Sequence, residues 1–250
     1  MQRFKNKVAV ITGGTNGMGF ATAQRFINDG GYVIITGRSE ETLRQALEKL
    51  GDRASGIVSD AGCMKDLMNL QHEVKKYTET IDLLFANAGY GKFFPIEQVD
   101  ENHFDELFNM LVKGPFFTVQ QMLPLMGKGS SVIFNTSVAT EIAMPNFSIY
   151  SAAKSAVQSF IKTFAVELTE SGIRVNGISP GHIKTNIFNN TGLNAEQIER
   201  AVLDIISTIP FKRQGEPEEI ASTVLFLASE EASYIHGAEI KVDAGISVIR

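Results

Sequence analysis

Tyr150 and Lys154 stand four positions apart in Tyr150-Ser151-Ala152-Ala153-Lys154. On a helix that spacing puts both on one face, with Cβ atoms about 5–6 Å apart. A phenol beside an ammonium is an acid–base pair. Free tyrosine loses its proton near pH ~10, and a nearby cation favours the phenolate, so Lys154 is expected to lower the Tyr150 pKa toward neutral pH. Ser137, upstream, adds a hydroxyl. Taken alone, Tyr150 and Lys154 also fit an ordinary solvated helix face, so the elements around them must carry the argument.

Thr12-Gly13-Gly14-Thr15-Asn16-Gly17-Met18-Gly19 offers a second kind of chemistry. Before it, Val8-Ala9-Val10-Ile11 is continuously apolar, as suits a parallel strand covered on both faces. After it, Phe20, Ala23, Phe26 and Ile27 recur at helical spacing up to the stop signal Asp29-Gly30-Gly31. Strand, glycine loop and helix form a phosphate-binding unit: glycines let the backbone approach a pyrophosphate, and the helix N-terminus presents unpaired N–H groups. Gly13, Thr15, Asn16, Gly17, Met18 and Gly19 are the expected contacts. Their spacing, Gly13-x-x-x-Gly17-x-Gly19, differs from the general G-x-G-x-x-G fingerprint.

The second strand, Tyr32 to Thr36, ends where dinucleotide folds read the adenosine ribose. Instead of a carboxylate the sequence has Thr36-Gly37-Arg38-Ser39. A guanidinium fork suits a phosphate, so NADP(H) is favoured over NAD(H), with Arg38 and Ser39 at the site. Two observations pull the other way: Arg38 can equally stack on adenine or cap the next helix, and Glu40 and Glu41 dilute the positive field.

Strands and helices then alternate: helix Glu41–Leu50, strand Ala54–Ser59, helix Met64–Thr78, strand Ile81–Ala86, a long helical segment Glu101–Met126 that Pro115 should kink, and strand Ser131–Asn135. Helix Asn146–Ser171 carries Tyr150 and Lys154. It is followed by strand Ile173–Ser179, an irregular stretch 186–215 expected to form a substrate lid with a helix near Ala195–Ser207, helix Pro217–Ala228 and strand Glu239–Val242. This rhythm predicts an α/β fold: a doubly wound parallel sheet of about seven strands with helices on both faces, in three αβα layers. Ligands bind at the carboxyl ends of such strands. Asp60 and Ala61 follow the third strand, and Asn87, Ala88 and Gly89 the fourth, small or polar where a cofactor would pass. Asn87-Ala88-Gly89 also reads simply as a turn.

Composition narrows the classes. With 44% hydrophobic and 20% charged residues, the 250-residue chain is ordinary globular protein, and no composition break divides it. A net charge of -5 without like-charge blocks gives no footprint for nucleic acid or anionic membrane, so a small-molecule partner is expected. Cys63 is the single cysteine, and no signal-type segment leads the chain, which reads as cytoplasmic. His72, His103, His182 and His236 lack ligand spacing, so no metal is expected.

Together these motifs resemble the short-chain dehydrogenases/reductases (SDRs), over essentially the whole chain as one Rossmann-type domain. T-G-x-x-x-G-x-G matches Thr12, Gly13, Gly17 and Gly19, N-A-G matches Asn87, Ala88 and Gly89, a serine ahead of Y-x-x-x-K matches Ser137, Tyr150 and Lys154, and P-G matches Pro180 and Gly181. The resemblance implies an NAD(P)-dependent oxidoreductase. Tyr150 would be general acid or base toward a carbonyl or hydroxyl, Lys154 would hold the nicotinamide ribose, and Ser137 would position the substrate oxygen. It further implies that Ile183 and Thr185 lie at the nicotinamide end, with Thr185 on the carboxamide, that Asp60 contacts adenine, and that the chain forms a homotetramer or homodimer.

One position departs from the family. Aligning Phe108, Gly114, Phe116 and Phe117 with F-x-x-N-x-x-G-x-F-F puts Leu111 where the family carries an asparagine. Asn109, two positions earlier, lies about 200° round an α-helix and faces elsewhere unless the helix is distorted. Leucine cannot hold a water for proton exchange with Lys154. Val138, Ala139, Met144, Phe147, Tyr90, Phe93, Phe94, His182 and Phe188 are the expected pocket lining, mostly apolar, which suits a neutral or partly apolar ketone or secondary alcohol. Other readings are a nucleotide-binding redox sensor or scaffold, favoured by Leu111, and an epimerase using hydride transiently.

Overall fold

Val8-Ala9-Val10-Ile11 becomes the interior strand β1 of the computed structural model, whose described residues are 2–185 and 194–249. Its apolar run is buried because helices cover both faces. Around it stand β2 (Tyr32–Gly37), β3 (Ala54–Val58), β4 (Leu83–Ala86), β5 (Ser131–Asn135), β6 (Arg174–Pro180) and β7 (Glu239–Val242), all parallel, in the order β3-β2-β1-β4-β5-β6-β7. The direction of winding reverses between β1 and β4, so a crevice opens at their carboxyl ends.

Alternate residues along the strands feed two cores. Ala9, Ile11, Val33 and Ile35 pack with Phe26 of α1 (Gly17–Asn28), Leu43 of α2 (Glu40–Leu50) and Val224, the last from a C-terminal helix over Pro217–Ala228. Val10, Ile34 and Leu84 face the other way, onto Leu70 of α3 (Met64–Lys75) and onto Val119, Val157 and Ile161. The seven-stranded, three-layer expectation holds.

The long helical segment expected over Glu101–Met126 is three pieces. α4 (Glu101–Phe108) runs into a wide π-helical turn, Asn109–Lys113, and then α5 (Gly114–Met122). Pro115 has no N–H to give the Leu111 carbonyl, and widening the helix just before it accommodates the loss. Gly114 also lies so close to the loop after β3 that an added Cβ would sit 2.4 Å from the Ala61 carbonyl oxygen.

α6 spans Ser148–Leu168 rather than starting at Asn146, whose φ of 70° is left-handed and non-helical. α7 (Ala195–Thr208) and α8 (Pro217–Ala228) complete the helices described. Residues 186–193 of the expected lid lie outside the described residues. Near the C-terminus Val248 and Ile249 are 72% and 62% exposed, whereas Ile246 and Ser247 are half-buried. No helix among the described residues is long and apolar enough to cross a membrane.

Candidate active site

The crevice is built first from the glycine loop. Gly13 has φ +64°, and a Cβ there would lie 2.9 Å from Ala88 Cα; on Gly19 it would lie 2.4 Å from the Gly13 carbonyl oxygen. Both positions therefore need glycine. Asn16 precedes α1 without a side-chain cap, so the first-turn N–H groups, those of Met18 and Gly19 among them, are left to an outside acceptor. The loop thus fits a pyrophosphate. Thr15 reaches toward the tip of β2, its methyl 2.5 Å from where a Gly37 Cβ would stand, and the Thr185 methyl comes within 3.4 Å of a Cβ built on Gly17.

Thr12 and Asn87 hold this loop. The Thr12 hydroxyl oxygen accepts from the backbone N–H groups of Asn87 and Ala88, both at 3.0 Å. The Asn87 amide donates to the carbonyls of Thr12 (3.0 Å) and Gly13 (3.2 Å), while its Oδ1 accepts from the Asn135 amide at 3.0 Å. Asn87 side-chain chemistry is thereby used in shaping the loop.

At the adenosine end a cavity of about 290 Å³ is lined by Arg38, Asp60, Cys63, Tyr90, Glu106 and Asn109, among others. Ser39 caps α2, its hydroxyl accepting from Thr42 N–H at 3.4 Å. Glu41 is drawn along α2 by Arg44 (2.8 Å) and Gln45 (2.6 Å), away from Arg38's fork. Asp60 Oδ1 accepts from Gly62 N–H at 2.8 Å, which turns the chain into α3, and Ala61 is buried beneath. The π-helical turn does not carry Asn109 to Lys154: Asn109 lines this cavity, whereas Leu111 is buried, its Cδ2 lying 2.7 Å from where a Gly89 Cβ would stand.

The reacting end is assembled by β5 and α6. Tyr150 and Lys154 share one face of α6, with Nζ 5.8 Å from the phenol ring centre. Ser137 begins a short turn over Val138–Thr140 after β5, its hydroxyl oxygen accepting from Ala139 N–H at 3.2 Å, and it is the side chain whose proximity favours the Tyr150 phenolate. Lys154 is 5% exposed and donates to the Asn135 carbonyl at 2.7 Å. Phe93 and Phe147 stack at 3.9 Å, and each meets Tyr150 edge-on, at 5.5 and 5.9 Å.

The expected lowering of the Tyr150 pKa is not found. Burial pushes the phenol up, only partly opposed by Ser137, and the same burial lowers the Lys154 ammonium to about 8. No opposing pull from Lys154 is found on the phenol, because the ammonium is held on the strand-tip carbonyl. Asn135 was not anticipated as a partner; a polar residue ending an otherwise apolar strand was its one signal in the sequence.

The exit of β6 brings the remaining candidates near. Pro180 ends the strand, and Gly181 N–H donates to the Val242 carbonyl at 3.0 Å, with Asp243 packed too close for a side chain there. Ile183 bridges to Gly215. His182 is held below its usual pKa by burial, hence neutral at pH 7. Met144 and Phe147 line a second cavity of about 410 Å³ that runs beside Ser148, Ser151 and Ser155. Neither Ser137 nor Tyr150 lines that cavity, so its size is no argument that substrate binds there. Val138 is buried. Phe188 lies outside the described residues.

Comparison with known proteins decides the family. A family model described as "Enoyl-(Acyl carrier protein) reductase" matches residues 13–247. The chain is 36% identical over 246 residues to the human "Dehydrogenase/reductase SDR family member 4", covering 96% of this chain and 87% of that one. The chain belongs to the short-chain dehydrogenases/reductases. A second SDR-length relative, "Oxidoreductase asL5" of Sarocladium schorii, is 36% identical over 251 residues, 100% of this chain and 99% of its own. Among solved structures, an SDR from Burkholderia cenocepacia in complex with NADP superposes with a TM-score of 0.88 at 27% identity, covering 98% of this chain and 100% of that one. As an SDR, the chain is an oxidoreductase with a nicotinamide-type nucleotide fold.

Proposed function

We propose that this SDR is an NADP(H)-dependent oxidoreductase that interconverts a neutral ketone and its secondary alcohol, with Tyr150 as general acid or base. The observation that carries the reading is Tyr150 beside Ser137, with Lys154 one helical turn on and its Nζ 5.8 Å from the phenol ring, at the strand tips beside a glycine loop fit for pyrophosphate. NADP preference is supported by Arg38 at the tip of β2 and by a relative in complex with NADP. NADPH, when bound, supplies the hydride that reduces the carbonyl carbon.

The chain's own groups manage the oxygen. Ser137 and Tyr150 hold a carbonyl oxygen between two hydroxyls, and Tyr150 donates its proton as negative charge develops there. A phenol whose pKa is raised stays protonated at neutral pH, which suits donation and therefore the reductive direction. Lys154 is positioned to bind ribose hydroxyls while its charge favours the ionised Tyr150 that remains. Phe93 and Phe147 keep water from the phenol and present apolar surface to the substrate.

We further assign the protein to the cytoplasm and to a homotetramer or homodimer, the exposed Val248 and Ile249 meeting a neighbouring copy. The buried Leu111 supports a second reading, a nucleotide-binding sensor with little turnover. Titration with NADPH and NADH, followed by a panel of ketones, separates the readings. Tighter NADPH binding and steady NADPH oxidation are expected; binding without oxidation of NADPH by any ketone would favour the sensor, and turnover without net cofactor consumption an epimerase.

A further inference from the structure

Tyr90 and Arg38 meet across the crevice. Arg38 follows β2 and Tyr90 follows β4, and these strands flank β1, so the contact spans the space above the glycine loop. The Arg38 guanidinium carbon lies 5.1 Å from the Tyr90 ring centre, within cation–π range. Tyr90 is itself fixed: its hydroxyl donates to Glu106 at 2.5 Å, and the second Glu106 oxygen accepts from Lys92 at 2.8 Å. Burial and the Glu106 carboxylate push the Tyr90 pKa up to about 12, so the ring is a neutral donor throughout the working range.

An exposed arginine has many rotamers, and phosphate recognition is weakened by the entropy of choosing one. A guanidinium resting on an aromatic face keeps its N–H edge free for a phosphate. Of the nearby carboxylates, Glu41 pairs with Arg44 and Glu106 with Lys92, while Asp60, on the same cavity, accepts from Gly62 N–H. We propose that Tyr90, anchored by Glu106, is a positioning residue that holds Arg38 ready for the 2′-phosphate of NADP(H), and so sets the preference over NAD(H). This rests on the NADP(H) reading above.

The test is direct binding, without substrate, of NADPH, NADH, 2′,5′-ADP and ADP to the wild-type chain and to Tyr90→Leu, Tyr90→Phe, Arg38→Leu and the Arg38→Leu/Tyr90→Leu pair. Tyr90→Leu is expected to weaken NADPH and 2′,5′-ADP by about 2- to 5-fold, the worth of an exposed cation–π contact, and to leave NADH and ADP unmoved. Tyr90→Phe, which keeps the ring and loses only its anchor, shifts the same two ligands by less, and it carries the test if Tyr90→Leu does not fold. In the Arg38→Leu background the Tyr90 change adds nothing. Equal weakening of all four ligands, or an unchanged Tyr90 effect without Arg38, overturns the positioning role alone. An Arg38→Leu variant with the wild-type NADPH-to-NADH ratio overturns the NADP(H) reading, and the role of Tyr90 falls with it.

Discussion

The Lys154 ammonium and the Asn135 carbonyl, 2.7 Å apart, join the second turn of α6 to the tip of β5. This single carbonyl faces a buried charge, and burial lowers the lysine from 10.5 to about 8. The folded state therefore resists the charged lysine. The penalty is full below pH ~8 and fades as the pH rises toward ~10.5, where the unfolded lysine also loses its proton.

Lys154→Met is accordingly expected to be more stable than wild type at pH 7 by about 2 kcal/mol: roughly 3 from the pKa difference, less about 1 for the carbonyl left unpaired. The advantage shrinks between pH ~8 and ~10.5. Urea unfolding of both proteins across that range checks it. A wild type that is the more stable at pH 7, or a difference that does not change with pH, would show that Lys154 is not held against its charge. Activity is expected to be lost in the same variant.

Thr12 offers a sharper stability test, because one hydroxyl oxygen serves two backbone donors, those of Asn87 and Ala88. Thr12→Val keeps the shape and orphans both N–H groups, at a cost of about 2–4 kcal/mol, whereas Thr12→Ser keeps the acceptor. Thermal unfolding should separate the two variants, and NADPH binding should weaken in Thr12→Val as the glycine loop loosens. Equal melting temperatures would mean that the loop is held by the Asn87 amide alone.

Local signals in the chain were legible where one stretch settles its own structure. The apolar run of β1, the glycine loop and the Tyr150-to-Lys154 spacing each needed only neighbours in sequence, and each is found as read. Pro115 announced a distortion, but a π-helical turn ending at Lys113 follows from the packing of Gly114 on Ala61 as well. The direction of the Tyr150 shift could not be read, because it depends on Phe93 and Phe147 covering the ring from two separate loops. The Arg38–Tyr90 contact was hidden for the same reason: its partners are 52 positions apart (90 minus 38) and meet only when β2 and β4 take places on either side of β1.

Tyr150→Phe keeps the edge-on packing with Phe93 and Phe147 and removes only the proton. Ketone reduction is expected to fall by about 10²–10⁴ with NADPH affinity unchanged. Ser137→Ala should cost about 10²–10³, since one of two hydroxyls on the developing charge remains. With the phenol pKa raised above its ordinary value, reduction should persist through neutral and mildly alkaline pH, while alcohol oxidation, which needs the phenolate, climbs with pH. Rates measured in both directions against pH test the assignment; residual turnover in Tyr150→Phe close to wild type would remove Tyr150 from it.

In the proposed mechanism Leu111 bears on how the proton lost by Tyr150 is replaced. It is 1% exposed, packed with Leu107, Met110 and Ala153, and it fills the space beside Gly89 and Lys154 with a methyl group. Asn109 stays at the adenosine-side cavity, so it offers no substitute there. Proton resupply through Lys154 should then be slow, or run on the substrate side of Tyr150. Leu111→Asn is expected to lower stability by about 2–4 kcal/mol, through a smaller and polar side chain in an apolar site. It should also shrink the solvent isotope effect on turnover. Leu111→Met, which keeps the site apolar, should leave that isotope effect as it is. Unchanged turnover and an unchanged isotope effect in Leu111→Asn would mean that proton resupply does not limit this enzyme and that the leucine is a packing residue alone.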